Sequence, residues 1–202
     1  MKYIVSALLL MNSIAVAQSK PATATAKITY VRCGTLYDGK SDAAQKNVTL
    51  LVAGERIEAI GATPEIGAEV IDLSREVCLP GLIDTHTHVL LQGDITSEDY
   101  DVQLLKWSTP YRTILGTVAA KRALEYGFTT IRDLETEGAG YADVDIKKAI
   151  ANGVIPGPRM QVAGRAMDVT GAYPLLGYSW ELKMPKGVQE VDGAEGGRKA
   201  VR

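Results

Sequence analysis

The stretch Leu79-Pro80-Gly81-Leu82-Ile83-Asp84-Thr85-His86-Thr87-His88-Val89 constrains this chain more than any other, because it runs an apolar segment into two histidines one residue apart. Along a β-strand successive side chains point to opposite faces, so Asp84, His86 and His88 share one face, and Thr85 and Thr87 the other. Two imidazoles on one face of a rigid strand offer a divalent ion two nitrogens at low ordering cost, and zinc accepts such ligands readily. Asp84 lies close enough on that face to orient a ring by accepting its second N–H. A histidine pair of this spacing also arises on exposed strands that bind nothing. The metal reading is favoured here because the chain contains only 2 histidines, both in this pair, and because Pro80-Gly81 punctuates the hydrophobic strand that leads into them.

With 202 residues, 46% of them hydrophobic, and a net charge of −2, the chain can bury a core, and it has neither the charge of a nucleic-acid binder nor the composition of a disordered segment. Its N-terminus departs from that pattern. Lys2, the apolar run Tyr3 to Met11 and then Ala15-Val16-Ala17 read as a cleavable secretory signal over residues 1–17. The run is short for a bilayer span; a buried helix is the alternative. No cysteine follows it, so no lipid anchor is expected, and the mature protein is expected to begin near Gln18 as a periplasmic or secreted chain. Export permits disulfides, which gives Cys33 and Cys78 a meaning: a bridge between them and two buried thiols are both open.

Residues 18–26 are small and polar and read as a flexible leader. Residues 27–79 carry short strands. Ile28 to Cys33, Asn47 to Val52, Arg56 to Ile60 and Glu69 to Leu73 are candidates, with a break at Ser74-Arg75-Glu76 and a tight turn at Gly54 that needs a positive φ. This is a small sheet or half-sandwich that needs a partner surface.

After His88 the rhythm becomes strand and helix in alternation. Residues 91 to 110 read as an irregular loop. Tyr111 to Tyr126 is a helix with Leu115, Val118, Ala119 and Ala123 as its buried stripe and Gly127 as its stop. Phe128 to Asp133 is a strand, Tyr141 to Asn152 a helix capped by Gly153, and Arg159 to Gly164 a third strand. Alternation of this kind implies βαβ units and a parallel sheet. From Ala166 to Gly197 no period is visible. Tyr173, Tyr178 and Trp180 in this stretch can line a substrate pocket or simply pack down as an aromatic loop. A helix is expected to open near Gly197. About three βα units fit between Pro80 and Arg202, whereas a closed parallel barrel takes eight and about 250 residues. The expected fold is therefore α/β, the front part of a larger parallel structure.

The strand PGLIDTHTH, the strand Gly127 to Leu134 and the segment Gly153-Val154-Ile155-Pro156-Gly157-Pro158-Arg159 occur in the order seen in the metal-dependent amidohydrolase superfamily. The chain resembles its branch of imidazolonepropionase-like and Xaa-Pro dipeptidase-like proteins, from about Ile28 to Arg202. The resemblance implies an incomplete (β/α)8 TIM-like barrel over residues 80–202, preceded by a β-sandwich segment over 27–79. It implies one or two zinc-like ions, with His86 and His88 as ligands and Asp133 supporting the site without ligating. The family's remaining ligands and its proton-shuttle aspartate would lie beyond Arg202, so no catalytic residue is assigned here, and Lys199, in a helix start, is not the family's metal-bridging lysine. The function implied is that of the N-terminal part of an exported metallo-hydrolase cleaving C–N bonds of dipeptides or N-acyl amino acids. An imidazolonepropionase-like hydrolase of a cyclic amide and a truncated non-catalytic remnant are the alternatives. The 202 residues alone are expected to be inactive. The partners expected are a small-molecule or dipeptide substrate and a second copy of the chain, with neither nucleic acid nor membrane.

Overall fold

The computed structural model describes residues 26–93, 97–173 and 177–202, for 97–99 the backbone alone. The signal segment predicted over residues 1–17, and the leader up to residue 25, lie outside the described residues. The chain divides into two compact units, Met1–Leu79 and Pro80–Arg202.

In the first unit β1 (Ile28–Leu36), β2 (Gln45–Ala53), β3 (Arg56–Ile60) and β4 (Val70–Cys78) form one sheet in the order β3-β2-β1-β4. β1 pairs antiparallel with β2 and parallel with β4. Gly54 turns β2 into β3 at φ +60°. The break expected at Ser74-Arg75-Glu76 is instead a bulge inside a continuous strand. The β1 register passes from Cys33↔Leu73 to Thr35↔Val77, so β4 carries extra residues there. Gly34 makes this possible, since a Cβ at that position would collide with the Ser74 carbonyl. Cys33, Leu36, Val48 and Leu50 are the buried centre of the sheet, and Cys33 is joined to Cys78 by a disulfide with Cα atoms 5.9 Å apart. Among the described residues the unit is one layer, not two.

The second unit is built on a parallel sheet β5-β6-β7, formed by Leu82–Thr87, Phe128–Asp133 and Arg159–Val162. Four helices accompany it: α1 (Ser97–Lys106), α2 (Thr109–Glu125), α3 (Ala142–Ala151) and α4 (Gly193–Val201). Ser108 caps α2 by accepting the Tyr111 N–H, and Pro110 sits in its first turn, where a missing donor costs nothing. Val89, Leu90, Ala120, Ile131, Ala142, Ile146 and Met160 pack into one core between sheet and helices. Helix α2 faces that core with Arg112, Gly116 and Ala120; Val118, expected in the stripe, is exposed. The small residues explain the rotation, because at Gly116 a Cβ would stand 2.8 Å from Ile146 Cδ1 and 3.0 Å from Leu90 Cδ2.

Two further expectations are corrected. The loop read over residues 91–110 contains α1, whose inward positions include Gln103. This side chain is 2% exposed and bonds the backbone N–H and C=O of Gln92, at 2.8 and 2.7 Å. A polar residue at a buried position hides the helical period. The unpatterned stretch after Ala166 contains two short paired strands, β8 (Met167–Asp168) and β9 (Gln189–Glu190), and α4 begins at Gly193.

Candidate metal centre

Strand β5 delivers the two histidines to its C-terminal end, where Val89 and Leu90 immediately dive into the core and fix the exit of the chain. The ring nitrogens His86 Nε2 and His88 Nε2 come to 3.1 Å from one another, with ring centroids 5.1 Å apart. Donors bound to one zinc-like ion at about 2.0–2.1 Å stand about 3.0–3.4 Å apart at ordinary ligand angles. The donor types and their convergence therefore fit a divalent ion held by these two residues.

Asp84, read as a partner for an imidazole, accepts the backbone N–H of His86 at 3.0 Å, and no bond to a ring is formed. A short Asp side chain two residues upstream satisfies the backbone more easily than it reaches past it.

Asp133 is fully buried at the end of β6. Its Oδ1 accepts the Val89 N–H at 2.7 Å and the Thr87 hydroxyl at 3.3 Å, tying down both residues that flank His88. Burial pushes its carboxyl up to about 6, with the nearby charge of Asp143 adding and the Val89 N–H opposing. Asp143, also buried, accepts the Gly164 N–H at 2.8 Å and so joins α3 to the end of β7.

The residues that sequence reasoning missed lie in the loop after β6. Glu137 is a buried carboxylate on a backbone with φ +49°, a conformation that non-glycine residues seldom adopt. Its Oε1 stands 3.7 Å from His88 Nδ1, and its Oε2 accepts the hydroxyls of Tyr100 at 3.0 Å and Tyr173 at 2.9 Å. The buried Arg112 guanidinium donates to the carbonyls of Leu90 (3.0 Å), Thr136 (3.3 Å) and Glu137 (2.8 Å), joining the loops that follow β5 and β6. Glu135 completes a group in which one donor atom each from His88, Glu135 and Glu137 lie within 4.8 Å of one another. Burial, and then the neighbouring Glu137 carboxylate, holds Glu135 well above the usual carboxylate range. Burial likewise raises both Tyr100 and Tyr173, the latter to about 12. The one available signal was an acidic pair one residue apart, directly after a strand that pairs with the histidine strand.

Of the aromatic residues considered for a substrate loop, Tyr173 reaches Glu137, Tyr178 donates to Asp101 at 2.7 Å, and Trp180 is 90% exposed. All three line a cavity of about 550 Å³ that also takes in Leu182, Lys183 and Lys186. Cys33 and Cys78 lie in the other unit, and Lys199 on α4.

The parallel sheet thus brings a pair of imidazole nitrogens suited to a divalent ion to the C-terminal end of its first strand. The chain belongs to the amidohydrolase family, whose model matches residues 77–202. It is similar to ochratoxinase from Aspergillus niger, with 28% identity over 160 residues, 75% of this chain and 31% of that protein. Imidazolonepropionase from Paenarthrobacter aurescens (strain TC1) is 38% identical over 55 residues, 26% of this chain and 13% of that protein. Among solved structures, a Xaa-Pro dipeptidase with bound methionine in its active site superposes with a TM-score of 0.74 at 28% identity, covering 87% of this chain and 43% of the dipeptidase. The chain thus spans about a third of the curated ochratoxinase and under half of the dipeptidase.

Proposed function

We propose that this chain is the N-terminal part of an exported amidohydrolase that cleaves the C–N bond of dipeptides or N-acyl amino acids. The observation that carries the reading is the convergence of His86 Nε2 and His88 Nε2 at the C-terminal end of β5. In this reading β5, β6 and β7 are the first three strands of an eight-stranded barrel, and β1 to β4 belong to its β-sandwich. The dipeptide preference is supported by the similarity to a Xaa-Pro dipeptidase, which covers 87% of the chain at a TM-score of 0.74. Export is supported by the N-terminal apolar run and by the Cys33–Cys78 disulfide, since such bonds persist in oxidising compartments.

His86 and His88 would hold a divalent ion such as zinc and move no proton; bound there, it would supply a water of lowered pKa, about 7, and polarise the scissile carbonyl. Asp133 holds their segment in place through Val89 and Thr87, and Arg112 fixes the two loops that border the site. The cavity beside Tyr173 and Trp180 takes the substrate side chain, with Lys183 at its wall.

The test is hydrolysis of a panel of Xaa-Pro dipeptides, N-acyl amino acids and a cyclic imidazolone by the full protein and by His86→Ala. The expected result is turnover of the first two classes, lowered at least about 100-fold by the substitution. Turnover of the cyclic amide alone, or activity unchanged in His86→Ala, would contradict the proposal.

A further inference from the structure

Glu137 sits at φ +49°, a conformation that non-glycine residues seldom adopt, next to Gly138 at φ +78°. The surroundings hold Glu137 from three sides. Arg112 takes its carbonyl at 2.8 Å, and the Tyr100 and Tyr173 hydroxyls both take Oε2. The two tyrosine rings pack edge to face at 6.1 Å. Gly187 lets them do so, since a Cβ there would stand 2.9 Å from Tyr173 Cε1. With Oε2 and the backbone committed, Oε1 is left facing His88, with the Glu135 carboxyl in the same cluster. On the other side of the gap, His88 Nδ1 is buried and has no hydrogen-bond partner among the described residues, and Oε1 is 3.7 Å away.

We propose that Glu137 is the positioning residue for His88: on ion binding the 3.7 Å gap closes and its Oε1 accepts the Nδ1–H, which fixes the tautomer that leaves Nε2 free to face the ion beside His86 Nε2. A carboxylate behind a metal-bound imidazole raises the basicity of the ring and holds its orientation. The tyrosine pair and Arg112 serve to keep that carboxylate aimed. The inference rests on His86 and His88 being metal ligands, as proposed above.

Two measurements on the full protein test it, with zinc as the probe. The first is zinc affinity by chelator competition for wild type and Glu137→Gln, alongside the thermal midpoint of both proteins without metal. Glutamine keeps the size of the side chain and its bonds to the tyrosines but replaces the charged acceptor. The expected result is zinc binding weakened about 10- to 100-fold with the metal-free midpoint little changed. Unchanged zinc affinity would overturn the inference, as would a loss confined to the metal-free midpoint, which is what a purely structural carboxylate gives. The second needs no variant: nitrogen-15 spectra of histidine-labelled, zinc-loaded wild type. His88 should show a protonated, slowly exchanging Nδ1 and a metal-bound Nε2. A metal-bound Nδ1, or an Nδ1–H that exchanges as fast as an exposed imidazole, would overturn it. Wild type that binds no zinc would remove the ligand reading itself, and this inference with it.

Discussion

At the scale of single residues, this site is held together by buried polar groups. Asp133 illustrates how that shows in solution. Its carboxyl is raised to about 6 in the folded protein, against about 4 in an unfolded chain. Between those values the folded state holds a proton that the unfolded state has lost, so this residue makes stability fall as pH rises from about 4 through about 6, and its effect is constant above that. Urea titrations of metal-free wild type and Asp133→Asn across this range should show wild type losing ground to the variant as pH rises; a constant difference would contradict the burial argument. Removing the acceptor altogether is a separate matter. Asp133→Ala leaves the Val89 N–H buried without a partner and should cost about 1–3 kcal/mol, read as a lowered urea midpoint. The placement of His86, His88 and Asp133 at or next to the C-terminal ends of β5 and β6 was legible in the sequence, because both strands carry a recognisable pattern. Glu137 was not, since its role depends on a backbone angle and on Tyr100, Arg112 and Tyr173, which come from three other segments.

At the scale of elements, legibility followed the hydrophobic period. β6 was read with its observed ends, and α3 within one residue at each end, because Ile131 and Ile146 sit where alternation and helical spacing place them. Where a polar side chain occupies an inward position the signal disappears, as at Gln103 in α1. Where the extra residues of a bulge interrupt alternation, one strand reads as two, as in β4. The tight crossing at Gly116 is a point where element packing can be tested. Gly116→Val would force two methyl groups into the space held by Ile146 Cδ1 and Leu90 Cδ2, and overpacking of this kind costs about 1–3 kcal/mol. A lowered urea midpoint is expected; an unchanged one would mean that α2 can move away from the core. In the first unit, the disulfide closes a loop of sequence separation 45. In the chain-entropy view that contributes about 4 kcal/mol, so reduction, or Cys33→Ser with Cys78→Ser, should lower the stability of the four-stranded sheet by that order.

At the scale of the whole molecule, the second unit has a three-stranded parallel sheet with β5 and β7 at its edges. Parallel sheets are normally enclosed on both faces and leave few strand edges open. In the proposed barrel, further strands continue from β7, and residues 18–202 expressed alone should aggregate; a monomeric sizing profile with a cooperative melt would count against that assembly. The existence of a parallel βαβ unit could be read from the order of strands and helices. Its extent could not, because closure depends on neighbours that the local pattern of these residues does not encode.

In the proposed function His86 and His88 together hold a divalent ion. The most direct measurement is the metal content of the full protein, purified without added metal and analysed by plasma mass spectrometry, beside the double variant His86→Ala with His88→Ala. Wild type should carry at least about one equivalent of a zinc-like ion that the double variant has lost while keeping its circular dichroism. Equal metal in the two folded proteins, or none in wild type even after incubation with zinc, would contradict the claim.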